Sequence, residues 1–565
     1  MKAHLLFALS FPFLLLGCKE NPSSESDGVP DTSDTSSDIR IETGIDICKN
    51  LEVFEESSYT VAVNGHTVDV IHISRFDVPI SFVRFDAMDD NEVEIISEQG
   101  IDSFTLSPKN RDIDAVHEGN RITFSVSEPG YLILQPASGD RAMENLFILI
   151  DPKEETPPAP EDAAVVSILE FEGVDRCGAS LMTDIIQVAI DSVEGTEKIL
   201  YFPPGLYLTG ELWMRSDMTL YLSDGAVLRA SSSLSDIVTG DTRGSVIEQC
   251  RHGLIRMFEV KNSHIRGRGI IDAGGTHLRV KENPMTKYNL LKIEESADCT
   301  VEGVVALDSS FWNTIVYRSD DIHIANYKVI NHRLNNTWNE TDGVDFDNTT
   351  NSTLKNAFLY TGDDCMSTKS DDIPDDYHIP EGAGTYPEDP TEAGDNYISV
   401  NNIVHENVVC YTNQSACKIG TKTMGKTLSN VVFKNIDVPK CGRGMVIDAM
   451  DTATVEDITF ENIDLEYIVP FDAVDFGINS GTGYRISEGV GAIENIVARN
   501  ISIEKFEYAK PLFKIKGREA GDTDDIYPIG DVTFTNVYYD GAHVTDDTLS
   551  LIRQSLLYAD SVTFQ

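Results

Sequence analysis

The chain has 565 residues and a mass of 62.4 kDa, more than one ordinary globular domain needs. With 41% hydrophobic and 24% charged residues it can build a large core, which excludes global disorder. Its 93 acidic residues against 44 basic ones leave a net charge of −49, a field that repels nucleic acid and excludes it as a partner.

At the N-terminus, Lys2 and His4 precede an apolar run from Leu5 to Leu16, followed by Gly17 and Cys18. The run is too short to span a bilayer and has the length of a signal-peptide core. Leu15-Leu16-Gly17-Cys18 resembles a bacterial lipobox, which makes Cys18 the expected lipidation site and residues 1–18 a lipoprotein signal peptide. Lys19 after the cysteine resembles lipoproteins sorted to the outer membrane, so the expected location is that membrane, anchored by lipid and periplasmic or surface-exposed. Residues 19–45, acidic and rich in Ser, Pro and Gly, read as a flexible tether.

Residues 46–156 carry short alternating segments such as Tyr59–Val63, Ile80–Phe85 and Ile122–Val126, separated by turn residues such as Asn64-Gly65 and Pro129-Gly130. This predicts a small antiparallel β-sandwich, with a packing or spacer role favoured over glycan binding. Pro157-Pro158-Ala159-Pro160 marks a stiff boundary. Eight cysteines follow Cys18 (Cys48, Cys177, Cys250, Cys299, Cys365, Cys410, Cys417 and Cys441), and none forms a C-x-x-C pair. Export permits disulfides, but their apolar strand-like settings read mainly as packing.

Beyond residue 165 a motif x-Asn-apolar-x-apolar recurs at Asn326, Asn356, Asn407, Asn435, Asn462, Asn500 and Asn536, with shorter intervals of 27, 28 and 30 residues. Strands at this period with little helix signal predict a parallel β-solenoid over residues 165–565, its asparagines hydrogen-bonded coil to coil. Met182 to Val193 reads as a helical cap. The expected fold class is all-β, a parallel β-helix after a β-sandwich.

Asp342, in Thr341-Asp342-Gly343-Val344-Asp345, lies 21 residues before Asp363, in Gly362-Asp363-Asp364-Cys365. That is close to one coil, so Asp342, Asp363 and Asp364 should cluster on one face. Crowded carboxylates cannot all ionise; one is pushed to hold a proton while another stays charged, the split that glycoside hydrolysis requires. For both adjacent aspartates to reach the groove, the strand must end and twist there.

From Phe202 to about Asp540 the sequence resembles the polygalacturonases and relatives of glycoside hydrolase family 28, through Phe202–Gly210, Ser310-Phe311-Trp312-Asn313, Thr341-Asp342-Gly343 and Gly362-Asp363-Asp364. The resemblance implies a right-handed β-helix and an inverting hydrolase without a cofactor or metal, acting on a plant or algal cell-wall polysaccharide and expected to be a monomer. By position, Asp363 would be the general acid, with Asp342 and Asp364 positioning and deprotonating the water. Glu340-Thr341 stands where the family has Asn-Thr. Gln414-Ser415-Ala416 replaces its Gly-His-Gly, and Val446-Ile447-Asp448 replaces the Arg-Ile-Lys that holds a uronate. Lys418 and Arg443, 25 residues apart, together with Asp448 and, further on, Lys516, are the candidates for a different substrate-binding set. The sandwich before the helix also resembles family 49, the dextranases and isopullulanases, which leaves an α-glucan hydrolase as the alternative. A polysaccharide lyase using Lys418 or Arg443, and a non-catalytic glycan-binding adhesin, are further alternatives. Asp371 to Asp395 forms an acidic insertion beside the groove, read as a solvated loop rather than a calcium site.

Overall fold

Apolar residues alternate with polar ones along most strands, and in the computed structural model these stripes become the faces of four large sheets. The structure describes residues 54–139, 141–238, 252–279, 287–331, 340–371, 400–478, 489–507, 510–519, 525–559 and 561–565. The expected signal peptide with Cys18, the tether, Cys48, Cys250 and residues 372–395 of the acidic insertion lie outside the described residues.

Among the described residues, two sheets of five and six strands form the N-terminal sandwich, from Tyr59–Val63 to Asn145–Asp151. Its pairings are antiparallel except one: Ile80–Asp86 runs parallel to Asn145–Asp151, in register from Ile80 with Asn145 to Asp86 with Asp151. A cluster of Val61, Val93, Ile95, Leu132, Leu134, Ile148 and others fills the space between the sheets.

The rest is a right-handed parallel β-helix, the hand that parallel crossovers take. A 20-stranded and an 11-stranded sheet wind along one axis, and nearly every strand pairs in parallel with the equivalent strand of the next coil. The helix Thr183–Ser192 lies against the first coils through Ile186, Ala189 and Ile190. Aromatic rings stack along the interior, with Phe433 between His405 and Phe460 at centroid distances of 4.6 and 5.2 Å.

Of the seven repeated asparagines, those from Asn356 to Asn536 do what their spacing predicts, whereas the Asn326 amide donates to Glu302 Oε1 at 3.4 Å instead. The Asn407 side-chain amide donates to Asn356 Oδ1 at 3.0 Å, Asn435 to Asn407 at 2.9 Å, Asn462 to Asn435 at 2.7 Å, Asn500 to Asn462 at 2.9 Å and Asn536 to Asn500 at 3.1 Å. All six are left-handed, with φ between 49° and 57° once Asn326 is included. Asparagine tolerates that conformation, so one residue both turns the chain and bonds to the next coil. A second left-handed row, through Asn351, Asn402, Asn430, Asp457 and Asn495, was not read from the sequence.

The sandwich is docked on the outer face of the long sheet within one compact unit. Phe82, Ile133, Phe147 and Leu149 pack on Val227, Ile270, Val305, Phe358 and Val409, and the Phe147 ring lies 5.0 Å from Phe358 and 4.9 Å from Tyr360. Lys328 Nζ, fully buried, donates to both oxygens of Asp151 at 2.9 and 2.7 Å, and Arg75 bridges Asp272 and Asp308 at 2.7 and 2.6 Å. This contact fits the packing role expected of the sandwich.

The reading of the cysteines as packing residues needs a correction. Cys299, Cys417 and Cys441 are free and buried, but Cys365 and Cys410 form a disulfide and Cys177 is disulfide-bonded as well. The winding of the coils brings Cys365 and Cys410, 45 residues apart, to a Cα separation of 6.3 Å. Because spacing alone does not give strand register, this pairing was not legible in the sequence.

The ladder gives a graded expectation. Asn435→Ala loses two amide bonds and strains a residue at φ 56°, costing about 2–4 kcal/mol. Asn435→Gly loses only the bonds and should cost about half as much. Denaturant unfolding of the two variants measures the order.

Candidate active site

The strand Thr350–Thr361 belongs to the long sheet and ends at a corner, Gly362–Cys365, before the chain enters the 11-stranded sheet as Met366–Ser370. The adjacent pair Asp363-Asp364 therefore sits in a bend, as two neighbouring carboxylates facing one groove require. One coil earlier, Thr341-Asp342-Gly343 leads into the strand Val344–Asp347.

The backbone fixes which carboxylates stack. Val344 pairs with Met366, the Gly343 amide donates to Asp364 O at 2.9 Å, and the Val344 amide donates to Cys365 O at 3.0 Å. Asp342 thus lies over Asp364, and the coil here is 22 residues long rather than the 21 that separate Asp342 from Asp363. Gly343 is needed for this approach, since a Cβ there would lie 2.4 Å from the Cys365 carbonyl oxygen. The column continues through Ser415, Arg443 and Asp472 on later coils. A parallel column on the 11-stranded sheet runs Asp345, Ser367, Lys418, Val446, Asp475, Lys514.

Asp342 and Asp364 are 4% and 3% exposed, whereas Asp363 is half-buried and the most accessible of the three. The Asp363 carbonyl accepts from the Thr361 hydroxyl at 2.6 Å and from the Thr412 hydroxyl, which fixes the corner from two coils. Its Oδ1 accepts the Asp364 amide at 3.0 Å. Asp364 Oδ1 accepts the Ser415 amide at 3.0 Å, and Lys418 Nζ donates to Oδ2 at 2.6 Å.

These surroundings split the acidities. Burial, then the Asp364 charge, push Asp363 up to about 8. Burial pushes Asp364 the same way, but Lys418 and Arg443 outweigh it and hold the group at about 2. Burial followed by Asp345 and Asp363 drives Asp342 well above the usual carboxylate range. Near neutral pH the corner thus contains a protonated carboxyl at Asp363 and a carboxylate at Asp364, on adjacent residues.

The structure assembles Asp342, Asp363, Asp364 and Lys418, and carries Arg443 and Asp448 on the next coil. Arg443 lies 3.4 Å from Asp448 and 3.9 Å from Asp475, and Lys514 lies 2.8 Å from Asp475, so each of these cations already faces a carboxylate. Lys516 is half-buried in the column of Asp448, two strands further along the groove. Sequence reasoning missed Lys369, whose Nζ lies 3.0 Å from Asp345, 3.9 Å from Asp342 and 3.7 Å from the Trp312 ring centroid. Its signal was the pairing of Asp347 with Lys369, legible only once the coil length of 22 is known. Glu340, at the position that departs from the family motif, bonds to Lys287 at 2.7 Å and faces Arg279 at 3.3 Å. Asp371, the described end of the acidic insertion, pairs with Lys422. Among the described residues, no group of three or more His, Cys, Asp or Glu side chains is arranged to hold a metal ion.

Residues 228–504 match the sequence profile of Glycosyl hydrolases family 28. A probable polygalacturonase of Vitis vinifera is 31% identical over 220 residues, covering 36% of this chain and 44% of that protein. An exo-poly-alpha-D-galacturonosidase of Dickeya chrysanthemi is 26% identical over 251 residues, covering 36% and 41% respectively. The chain thus spans less than half the length of these curated relatives. Among solved structures, Dex49A from Penicillium minioluteum superposes with a TM-score of 0.53 at 11% identity, covering 91% of this chain and 95% of that one, a likeness of fold.

Gly343→Ala should force the Asp342 coil away from the Asp364 coil. The expected cost is about 1–3 kcal/mol in thermal or denaturant unfolding, with a larger loss of function than of stability. An unchanged melting temperature would mean that the coils do not approach as described.

Proposed function

We propose, from the match of residues 228–504 to Glycosyl hydrolases family 28, that this chain is a glycoside hydrolase using Asp363, Asp364 and Asp342 in a single inverting displacement. The observation that carries the reading is the opposite ionisation of Asp363 and Asp364 on adjacent residues. Asp363 gives its proton to the glycosidic oxygen as the bond from that oxygen to the anomeric carbon breaks. A water attacks the same carbon from the opposite face and passes its proton to Asp364. Asp342 orients that water by hydrogen bonding. Proton exchange with solvent returns Asp363 and Asp364 to their starting states.

The substrate we infer is a cell-wall polysaccharide of the pectic class, in line with the polygalacturonase names of the relatives. Val446-Ile447-Asp448 offers no cation, and Arg443 is faced by Asp448 and Asp475. These features support a neutral sugar at that subsite, with Lys516 further along the groove as a contact for an acidic one. Unsubstituted polygalacturonate should therefore be a poor substrate. The Leu5–Leu16 run and Cys18 support a lipid-anchored protein of a bacterial outer membrane, with residues 19–45 as its tether and the enzyme acting as a monomer.

Asp363→Asn should lower turnover at least about a hundredfold while the chain stays folded. Wild-type kcat/KM should fall as pH rises through about 8, where Asp363 loses its proton. The same group titrates at about 3.9 in the unfolded chain, so folding takes up a proton between these values and stability declines as pH rises across the window. Asp363→Asn should thus melt no lower than wild type at pH 8, and an unaltered pH–rate profile in that variant would remove the acid role. Proton NMR of the first-formed product should show the anomer opposite to that of the cleaved bond; retention would exclude single displacement.

A further inference from the structure

The three carboxyls of the corner share one environment, yet only Asp364 is held down. Asp342 and Asp364 are equally buried, at 4% and 3% exposed, so burial does not separate them. Their partners do. The nearest cation to Asp342 is Lys369, 3.9 Å away and closer to Asp345, at 3.0 Å. Asp364 has a cation of its own at 2.6 Å and a backbone amide at 3.0 Å on its other oxygen. We propose that Lys418 is the positioning residue of the reaction, whose buried ammonium holds Asp364 as an oriented carboxylate able to take a proton from water. This rests on the reading above that Asp364 is the base.

Three features of the fold make Lys418 suited to this. Lys418 belongs to the coil after Asp364 and pairs in register with Ser367, so its long side chain lies along the groove wall and reaches back to the corner. It is 8% exposed, and its charge is spent on Asp364 rather than offered to a substrate. The second nearby cation, Arg443, is engaged by Asp448 and Asp475. The charged groups facing Asp364 and Lys418 are thus Asp342, Asp345 and Asp363, Arg443, and Asp448 on the following coil. Burial pushes the Asp364 proton affinity up, and Lys418, at 2.6 Å, is the closest group opposing it. An ammonium also has a compact charge, which allows a single short contact to one oxygen while the Ser415 amide fixes the other. Lysine, read from sequence as a substrate contact, thereby becomes part of the acid–base machinery at one remove.

The test compares the full chain with Lys418→Met, Lys418→Arg and Asp364→Asn, and with Lys418→Gln if the Met variant does not fold. Infrared difference spectra against Asp364→Asn follow the Asp364 carboxyl stretch as pH is varied, independently of turnover. The carboxyl midpoint, at about 2 in the wild type, should rise by about two units or more in Lys418→Met and by less than about one in Lys418→Arg. On a hydrolysed substrate, the acid limb of the Lys418→Met pH–rate profile should shift by the same amount, with kcat reduced about tenfold or more near pH 3 and KM little changed. An Asp364 midpoint unmoved in Lys418→Met overturns the proposal whatever the activity. A shifted midpoint with an unshifted acid limb overturns it too, leaving the ion pair a structural one. If Asp364→Asn itself keeps wild-type turnover, the failure lies in the assignment of Asp364 as base, which distinguishes that outcome from the others.

Discussion

The hydrogen-bonded register between successive parallel coils is the constraint on which the rest of this molecule depends. Gly343 and Val344 donate to the carbonyls of Asp364 and Cys365, and those two bonds decide that Asp342 stacks on Asp364 and nowhere else. Parallel stacking repeats at about 4.8 Å, so like residues on consecutive coils are held together whatever their charge. In most proteins such a stack of carboxylates would separate. Here the backbone ladder, the asparagine row and the interior aromatic stack hold it closed, and the cost appears as raised proton affinities at Asp342 and Asp363.

The same constraint explains why cations and carboxylates alternate along the groove. Lys369 answers Asp345, Lys418 answers Asp364, Arg443 answers Asp448, and Lys514 answers Asp475. A column of side chains at coil spacing cannot be all of one sign without repulsion, and burial sharpens that requirement. This groove therefore uses its positive charge to tune its own carboxylates. A substrate bound there meets a surface near charge balance at the corner, despite the strongly acidic chain as a whole.

Much of the architecture was legible in the sequence, for physical reasons that can be named. The left-handed turn of each coil needs a residue that tolerates positive φ and can bond along the axis, and asparagine marked that position from Asn356 to Asn536. Tyr59–Val63 was recovered to the residue because alternation bounded by Asn64-Gly65 leaves little freedom. The Asp cluster was legible as a near-coil spacing, but not its partner order, because one residue of coil length exchanges Asp363 for Asp364 beneath Asp342. Lys369, the Cys365–Cys410 disulfide and the engagement of Lys418 were not legible, since each depends on how far a side chain reaches across a register that spacing does not give. The docking of the sandwich had a fainter signal: strands such as Thr350–Thr361 carry apolar residues on both faces, and Phe358 and Tyr360 face the sandwich rather than the core.

The central claim is that a stack of crowded carboxyls is divided by its neighbours into a proton donor and a carboxylate on adjacent residues. Neutron diffraction from a deuterium-exchanged crystal near pH 7 tests this most directly, because it locates the protons themselves. The account predicts nuclear density for a deuteron on the Asp363 carboxyl, none on Asp364, and three on Lys418 Nζ with one directed at Asp364 Oδ2. A bare Asp363 or a deuterated Asp364 at that pH would contradict it.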